Sequence, residues 1–292
     1  MSCLSSLFEY GRETIKTIIV VDNGSIDGSA DGASVFEAVT VVRSQLNLGF
    51  AAACNLGARQ TGSRYLLFLN PDALVFRDTL TRAVAFMDDY SNSRVGICGV
   101  QLIGDGGAIT RSCARFPGAL AFALSPLGLD RLFPRLGVLM KDWEHDETRD
   151  VDHVIGAFYL VRREVFELLD GFDENFFLYF EDLDFSLRAR QLGWKCIYLA
   201  GVQAFHLGGG SSRQVKDRRL FYSLRSRVLY SFKHHGFIFG SFVLLIAAVV
   251  EPVIRSAWAL ARLSLSSLSE TLKGYRLFWL WLPRWAIRGV TR

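Results

Sequence analysis

Short apolar runs alternate with amphipathic stretches along residues 14–215, and this alternation predicts strands and helices in turn. The apolar runs are rich in Val, Ile and Leu and end in polar turns, as strands buried on both faces do. The predicted strands are residues 15–21, 39–43, 65–69, 95–100 and 154–161. The predicted helices are residues 50–60, 78–89, 163–169 and 181–192. This order predicts an α/β domain built on a mostly parallel sheet with helices on both faces.

The pattern changes after residue 215. Residues 215–235 are basic and predict a helix, and residues 237–250 form an apolar run of about 14 residues, which Glu251-Pro252 is expected to interrupt. A bilayer span needs about 20 such residues. Trp, Tyr and Arg are then interleaved with Leu, as is typical of the membrane interface. We expect a catalytic domain over residues 1–215 and membrane-associated helices over 216–292. A buried helix pair and a spanning hairpin are the alternatives.

Composition narrows the class of protein. The net charge of +4 is modest and does not indicate nucleic-acid binding. The five cysteines are scattered without a CxxC pair, which excludes the common zinc sites and disulfide frameworks and favours a reducing compartment. Residues 1–12 have neither a basic start nor an apolar core, so no signal peptide is predicted.

Two acidic motifs each follow an apolar run. Asn70-Pro71-Asp72 ends the predicted strand 65–69, and Glu181-Asp182 begins the predicted helix 181–192. A carboxylate at a helix N-terminus is stabilised in its ionised form, so it can accept a proton near neutral pH. Together the two motifs predict an active site at the carboxyl edge of the sheet. The long irregular segment 104–150 is expected to act as an active-site loop.

Further motifs join these two to form a series that covers roughly residues 4–215. The series is residues 20–29, 47–50, Asn55, Gly57, 70–72, 156–157, 171–174, 181–182 and His206. In this order it resembles glycosyltransferase family 2, specifically the rhamnosyltransferase-like branch that builds bacterial surface polysaccharides. Each motif alone is weak, but together they are specific. The resemblance implies the GT-A nucleotide-diphospho-sugar transferase fold and an inverting glycosyltransferase.

The resemblance assigns a set of residues to the nucleotide-sugar donor. They are Asp22, Asn23, Asn47, Gly49, Asn55, Asn70, Gly156 and Ala157. Asp22 is expected to accept the imide N–H of uracil or thymine; the alternative is a turn and helix cap. Gly49 would let the loop 47–55 approach the diphosphate closely. Gly156 and Ala157 are expected to shape the floor of the sugar site.

The resemblance also implies a metal site. Asn70 replaces the first acid of the family's Asp-x-Asp motif, so Asp72 becomes the main ligand of Mg²⁺ or Mn²⁺. His206 follows a predicted short strand, 202–205, and matches the family's metal-binding histidine. The glycines at 208–210 are expected to close over the diphosphate. The alternatives are a strand-end turn at Asp72 and a structural role for His206.

Asp182 is the predicted catalytic base, which deprotonates the acceptor hydroxyl. Glu181 is expected to orient the acceptor or the base, and Asp184 to pair with Arg188 at i, i+4. The alternative is an acidic helix start with salt bridges only. The remaining histidines are interpreted as surface or loop residues: His145, His153, His234 and His235.

The leading functional hypothesis is transfer of L-rhamnose from dTDP-rhamnose to a lipid-linked saccharide acceptor. The donor class is a dTDP- or UDP-sugar, and the expected location is the cytoplasmic face of the inner membrane, peripheral or monotopic. One alternative transfers a hexose to a polyprenyl phosphate, which would favour clear spanning helices. Another is a non-catalytic membrane-associated subunit.

The start of the chain departs from the family pattern. Members usually begin with an apolar strand that ends in a Thr-Tyr-Asn-like turn, whereas residues 3–8 match the helix that follows it. The missing strand would be central, and its loss would leave backbone groups unpaired on two neighbours. We expect this strand to be encoded upstream of Met1; the alternative is that the chain is a fragment. Its presence there would argue against the non-catalytic hypothesis.

Overall fold

The chain forms two compact units. The computed structural model describes residues 2–36, 38–124, 137–208 and 215–291, together with residues 128, 133 and 135. The sheet unit contains Met1–Arg115, Trp143–Glu174 and Glu181–Gly208, and the helical unit contains Phe116–Asp142, Asn175–Phe180 and Gly209–Arg292. The division near residue 208 lies close to the predicted boundary at 215, but two earlier segments group with the helical unit.

The elements follow the predicted order. The strands are β1 (Ile18–Asn23), β2 (Val39–Ser44), β3 (Tyr65–Leu69), β4 (Ala73–Val75), β5 (Val95–Ile103), β6 (Cys113–Ala114), β7 (Arg149–Val151), β8 (His153–Val154), β9 (Phe158–Arg162) and β10 (Lys195–His206). The helices are α1 (Cys3–Tyr10), α2 (Phe50–Ala58), α3 (Thr79–Asp88), α4 (Ala119–Leu124), α5 (Arg163–Leu168), α6 (Glu181–Gln191), α7 (Lys216–Leu245), α8 (Glu251–Ala261) and α9 (Leu265–Arg288).

The main sheet has six strands in the order β3-β9-β5-β10-β4, with β7 also paired to β10. Only β5 and β10 pair in parallel; the other pairings in this sheet are antiparallel. The prediction of a mostly parallel sheet is therefore wrong for its strand pairings. The reason is that β9 lies between β3 and β5 and is antiparallel to both. The sequence does not reveal this direction, because an apolar run has the same pattern whichever way its strand points.

A second, two-stranded parallel sheet consists of β1 and β2. Among the described strands, β1 pairs only with β2, and β3 pairs only with β9. Every residue of β1 is half-buried, which differs from the fully buried β9. One edge of β1 and one edge of β3 therefore have no partner strand within the described residues.

Helices cover both faces of the main sheet, as predicted. Successive side chains of a strand point to opposite faces. On β9, Phe158 and Leu160 belong to one core cluster with Met87 of α3. Tyr159, on the other face, lies 6.2 Å from Phe185 of α6, ring centroid to ring centroid. The strands of the main sheet are thus held in place by packed side chains on both faces.

The helical unit contains one continuous helical segment, Lys216–Ala261. Within the described residues this is the one helix whose length and apolar composition would suffice to cross a bilayer, although 33% of its apolar window is buried by protein. Gly236 breaks the helical dihedral angles at φ 77°, and a π-turn follows at Ile246–Val250. Glu251-Pro252 ends the apolar run, as predicted, but the helical segment continues through it, with Pro252 in the first turn of α8 after the π-turn.

Candidate active site

Asp72 and His206 meet at the ends of neighbouring strands. Because β4 and β10 are antiparallel, His206 lies opposite Ala73, the residue after Asp72. His206 Nε2 is 3.3 Å from Asp72 Oδ1, and the backbone N–H of Leu207 donates to the carbonyl of Asp72. The side chains are 10% and 22% exposed, respectively. Two residues far apart in the sequence thus bring a nitrogen and an oxygen that could act as metal ligands to one point.

This pair has the chemistry of a partial site for a divalent cation. A carboxylate oxygen and an imidazole nitrogen both suit Mn²⁺, and the carboxylate suits Mg²⁺. No group of three or more His, Cys, Asp or Glu side chains that could hold a metal is found among the described residues. Within the described residues, Asp72 and His206 would therefore supply two ligands to such a cation. Residues 209–214, which include two of the glycines expected to close over the diphosphate, lie outside the described residues.

Asp182 lies in the first turn of α6 and is held by backbone donors. Its Oδ2 accepts the N–H of Gly156 at 2.8 Å, and its Oδ1 accepts the N–H of Leu183 at 2.8 Å. A Cβ added to Gly156 would lie 3.0 Å from Oδ2, so glycine permits this close approach. Gly156, expected to shape the sugar site, lies directly against Asp182.

The dipeptide Gly156-Ala157 connects the two acidic motifs. Gly156 donates to Asp182, and the carbonyl of Ala157 accepts the backbone N–H of Asn70 at 3.1 Å. The Ala157 methyl is buried in the core, so this residue reaches the site only through its backbone. Asn70 in turn starts the short turn that carries Asp72. The backbone thus ties Asp182 to the strand end that bears the Asp72–His206 pair.

His153 is a buried neighbour of Asp182 that the sequence analysis missed. Its Nε2 lies 3.5 Å from Asp182 Oδ2, and its Nδ1 shares a 2.9 Å hydrogen bond with Ser186 Oγ. Ser186 Oγ is 2.7 Å from the hydroxyl of Tyr159, which donates to the backbone carbonyl of Asp182 at 3.2 Å. Asp152 and Val154 flank His153, and this local pattern does not mark the histidine as buried.

The other histidines differ from the prediction in part. His145 is fully buried, with its ring stacked on Trp143 at 4.2 Å between centroids. His234 and His235 are half-buried on α7, and His235 Nε2 lies 2.8 Å from the carbonyl of Pro117. His145 does lie in a loop, as the prediction allowed, although it is buried; for His234 and His235, which lie on a helix, the prediction was wrong. A lone histidine gives no sign of burial in the sequence.

The two adjacent carboxyl groups are driven to opposite protonation states. Burial alone would raise the pKa of Asp182, but His153 and the N–H groups of Gly156 and Leu183 hold it below its ordinary value. Burial, reinforced by the charge of Asp182, raises the pKa of Glu181 well above its ordinary value. The Oε2 of Glu181 is buried and accepts no hydrogen bond from the described residues. Asp182 therefore favours the ionised form, and Glu181 favours the protonated form.

Asn23, Asn47 and Gly49 form one hydrogen-bonded loop. The amide of Asn23 donates to Asn47 Oδ1 and to the carbonyl of Gly49, and accepts the N–H of Leu48 at 2.7 Å. Gly49 has φ 85°, which favours glycine, and precedes α2. The side-chain groups of Asn23 therefore order this loop.

Asp22 ends β1 and caps the following turn. Its Oδ1 accepts the N–H of Ser25 at 2.9 Å. Hydrogen bonds from the backbone and side chain of Ser25 lower the pKa of Asp22. The geometry matches the turn-capping alternative, and the ionised carboxylate keeps an acceptor for a nucleobase N–H.

The structure does not bring Asn55 to the surface of the site. Asn55 is 4% exposed, and its amide donates to the carbonyl of Phe172 and to Glu174 while accepting the N–H of Phe172. Arg188 braces the same turn through the carbonyl of Gly171. Instead of lining a donor pocket, Asn55 holds the turn 171–174. The predicted ion pair between Asp184 and Arg188 is confirmed at 2.7 Å.

The sequence of this chain is similar to those of known glycosyltransferases. The family model for glycosyl transferase family 2 matches residues 2–170. The chain is 25% identical over 206 residues to the N-acetylglucosaminyl-diphospho-decaprenol L-rhamnosyltransferase of Mycobacterium tuberculosis, covering 65% of this chain and 66% of that protein. It is 27% identical over 175 residues to rhamnosyltransferase WbbL of Escherichia coli, covering 59% and 63%. The matches thus span just under two thirds of these relatives.

Solved glycosyltransferases share the fold. Mannosyltransferase PcManGT from Pyrobaculum calidifontis, solved with GDP-Man and Mn²⁺, superposes with a TM-score of 0.55 at 18% identity, covering 99% of this chain and 80% of that chain. TarS 1–349 of S. aureus, solved with UDP, gives a TM-score of 0.52 at 14% identity, covering 96% and 86%. These likenesses concern the fold, and they confirm the predicted GT-A architecture.

Proposed function

We propose, since this chain belongs to glycosyl transferase family 2, that it is an inverting enzyme that transfers a sugar from a nucleoside diphosphate donor to an acceptor hydroxyl in polysaccharide synthesis. The observation that carries this proposal is the backbone link through Gly156-Ala157, which ties an ionised base to the strand end bearing a partial cation site. An inverting transferase needs both features, one for each side of the anomeric carbon.

The proposed reaction is a single displacement. Asp182 accepts the proton of the acceptor hydroxyl. The hydroxyl oxygen of the acceptor bonds to the anomeric carbon at the same time, on the face opposite the diphosphate. The bond from that carbon to the diphosphate breaks, and its electron pair stays on the leaving oxygen. Asp72 and His206 would hold Mg²⁺ or Mn²⁺, which when bound offsets the charge that develops on the nucleoside diphosphate. Asp22 would orient the nucleobase, and Asn23 would hold the loop beside it.

The proposed donor is dTDP-L-rhamnose and the proposed acceptor is a lipid-linked saccharide. Similarity to two proteins named as rhamnosyltransferases supports the sugar, and one of them is named for a diphospho-decaprenol acceptor. A polyprenyl-phosphate hexosyltransferase stays the second candidate, because Lys216–Ala261 is long and apolar enough to span a bilayer.

A donor panel separates these candidates. The full chain would be assayed with dTDP-, UDP- and GDP-sugars, Mg²⁺ or Mn²⁺, and either a lipid-linked saccharide or polyprenyl phosphate. Transfer of rhamnose to the saccharide is the expected result. Transfer of a hexose to polyprenyl phosphate would support the second candidate. Absence of both transfer and nucleotide binding would overturn the enzyme proposal in favour of a non-catalytic subunit.

We further propose that the helical unit lies on the cytoplasmic face of the inner membrane, as a peripheral or monotopic element. Residues 216–292 carry 13 Lys and Arg against 3 Asp and Glu, in a chain whose net charge is only +4. Large apolar side chains are exposed on the same helices, including Phe237 at 78% and Ile238 at 82%. All five cysteines are free thiols, as suits a reducing compartment.

The chain is therefore expected to float with lipid vesicles, more strongly when anionic lipid is added to a zwitterionic mixture. Replacing both Phe237 and Ile238 with Ser should weaken binding by about tenfold or more, because each buried side chain contributes roughly 1.5–3 kcal/mol. The matched control is Leu168→Ser, an exposed leucine of the sheet unit. Equal flotation of all three proteins, or no preference for anionic lipid, would contradict the proposed membrane contact.

A further inference from the structure

We propose that His153 is a positioning residue for sugar transfer: it orients the Asp182 carboxylate toward the acceptor hydroxyl. This inference rests on the proposed function and adds a residue to its machinery. It starts from the geometry of four side chains in the sheet unit, contributed by β8, β9 and α6.

The location of His153 is fixed by the backbone. β8 pairs with β6, and His153 lies opposite Ala114 in that ladder. Its side chain is buried, as is Ser186 on α6. The hydrogen bond between Nδ1 and Ser186 Oγ fixes the ring plane, so that Nε2 faces Asp182 Oδ2. The imidazole therefore has one orientation relative to the carboxylate.

The hydroxyl groups set the direction of the hydrogen bonds. Because the Tyr159 hydroxyl donates to the carbonyl of Asp182, Ser186 donates to Tyr159 and accepts the Nδ1–H of His153. When the imidazole is protonated, its Nε2–H faces Asp182 Oδ2 across 3.5 Å, an ion-pair distance. The same oxygen accepts the N–H of Gly156, while Oδ1 accepts the N–H of Leu183. The two backbone N–H groups and the imidazole thus define the plane of the carboxylate.

A carboxylate base needs such a support. A half-buried carboxylate without donors loses solvation and turns toward other partners. Proton transfer requires hydrogen-bond reach and correct direction, so a small rotation of the base lowers the rate. In a catalytic triad, a carboxylate orients the catalytic histidine. Here the histidine, His153, would orient the catalytic carboxylate, Asp182.

The test is a kinetic cycle on the full chain with the donor and acceptor identified for the wild type. His153→Phe removes both ring nitrogens and should lower kcat about 10- to 100-fold, with the KM for donor changed less than threefold. His153→Gln keeps one donor and should recover part of the loss. In the Asp182→Asn background, His153→Phe should cause no further loss, because His153 acts through Asp182.

Two further variants separate positioning from folding. His145→Gln alters another buried histidine, which is bonded to the backbone of Trp143 and Cys113; it should lower Tm without lowering kcat. Ser186→Ala frees the ring of His153 with a small change in volume, and should lower kcat several-fold even if His153→Phe fails to fold.

The outcomes are distinct. Unchanged kcat in Ser186→Ala and His153→Gln, or losses that multiply fully in the Asp182→Asn background, would overturn the role of His153 and leave the proposed function standing. Absence of transfer by the wild-type protein with every donor would overturn the proposed function, and this inference with it.

Discussion

Replacing Asp182 with Asn is expected to lower kcat for sugar transfer by about 10²- to 10⁴-fold, the range that a positioned general base supplies. The amide has nearly the same shape but cannot take the acceptor proton. In the wild type, His153 and two backbone N–H groups outweigh the effect of burial and hold the pKa of Asp182 below its ordinary value. The measurement is kcat at saturating donor and acceptor, with nucleotide affinity determined separately by calorimetry.

The neighbouring carboxyl provides the control. Because burial and the charge of Asp182 raise the pKa of Glu181, Glu181→Gln replaces a group that favours its neutral form. We expect a loss of about tenfold or less in kcat for Glu181→Gln. Equal losses in the two variants would contradict the assignment of Asp182 as the base. Loss of nucleotide binding in Asp182→Asn would show that the substitution disrupts the donor site instead.

Replacing Glu251 with Ala is expected to lower the free energy of unfolding by about 3–5 kcal/mol, as for a buried ion pair that loses one partner. The Glu251 side chain is 1% exposed and accepts hydrogen bonds from Arg227 and, at 2.8 Å, from Arg255. Arg227 is also buried, so the variant leaves its charge without a counter-charge in an apolar surrounding. Denaturant unfolding in detergent or lipid measures the effect.

A surface pair in the same unit supplies the matched comparison. Glu270 pairs with Lys216 at 3.4 Å, and both side chains are exposed. Exposed pairs contribute at most about 1 kcal/mol, so Glu270→Ala should have a small effect. If the two variants change stability equally, Glu251 does not act as the buried counter-charge that joins α7 to α8.

Local patterns in the sequence predicted most of the elements and, through the order of the motifs, the family, which is confirmed. The predicted strand 154–161 is instead two strands, β8 and β9, separated by residues 155–157. Strand β3 has the predicted bounds, and α3 and α6 end within one residue of theirs. These elements are encoded locally: apolar runs end at polar turns, and the acidic first turn and basic last turn of α6 complement its dipole. The order of motifs identified the family because each motif marks the end of such an element.

Contacts between distant segments could not be predicted from the sequence. The direction of β9 depends on how the chain returns after residues 104–150, and within that segment β6 and α4 are short elements with weak patterns. The burial of His153 depends on the packing of β8 against α6, which no local pattern records. Asn55 was assigned to the donor by its place in a motif, yet its amide is engaged by a turn more than 100 residues away.

The roles of the donor-side residues stay predictions. The structure brings Asp72 to His206, Asn70 to Ala157, and Gly156 to Asp182. It orders Asn23, Asn47 and Gly49 into one loop near the end of β1.

The most direct test of this account is Mn²⁺ binding by electron paramagnetic resonance, with and without dTDP, in the wild type and in Asp72→Asn and Asp182→Asn. The account predicts a nucleotide-dependent Mn²⁺ signal in the wild type and in Asp182→Asn, and its loss in Asp72→Asn, because Asp72 supplies the carboxylate ligand while Asp182 acts on the acceptor. Retention of the signal in Asp72→Asn, or its absence from the wild type, would contradict a donor site built on Asp72 and His206.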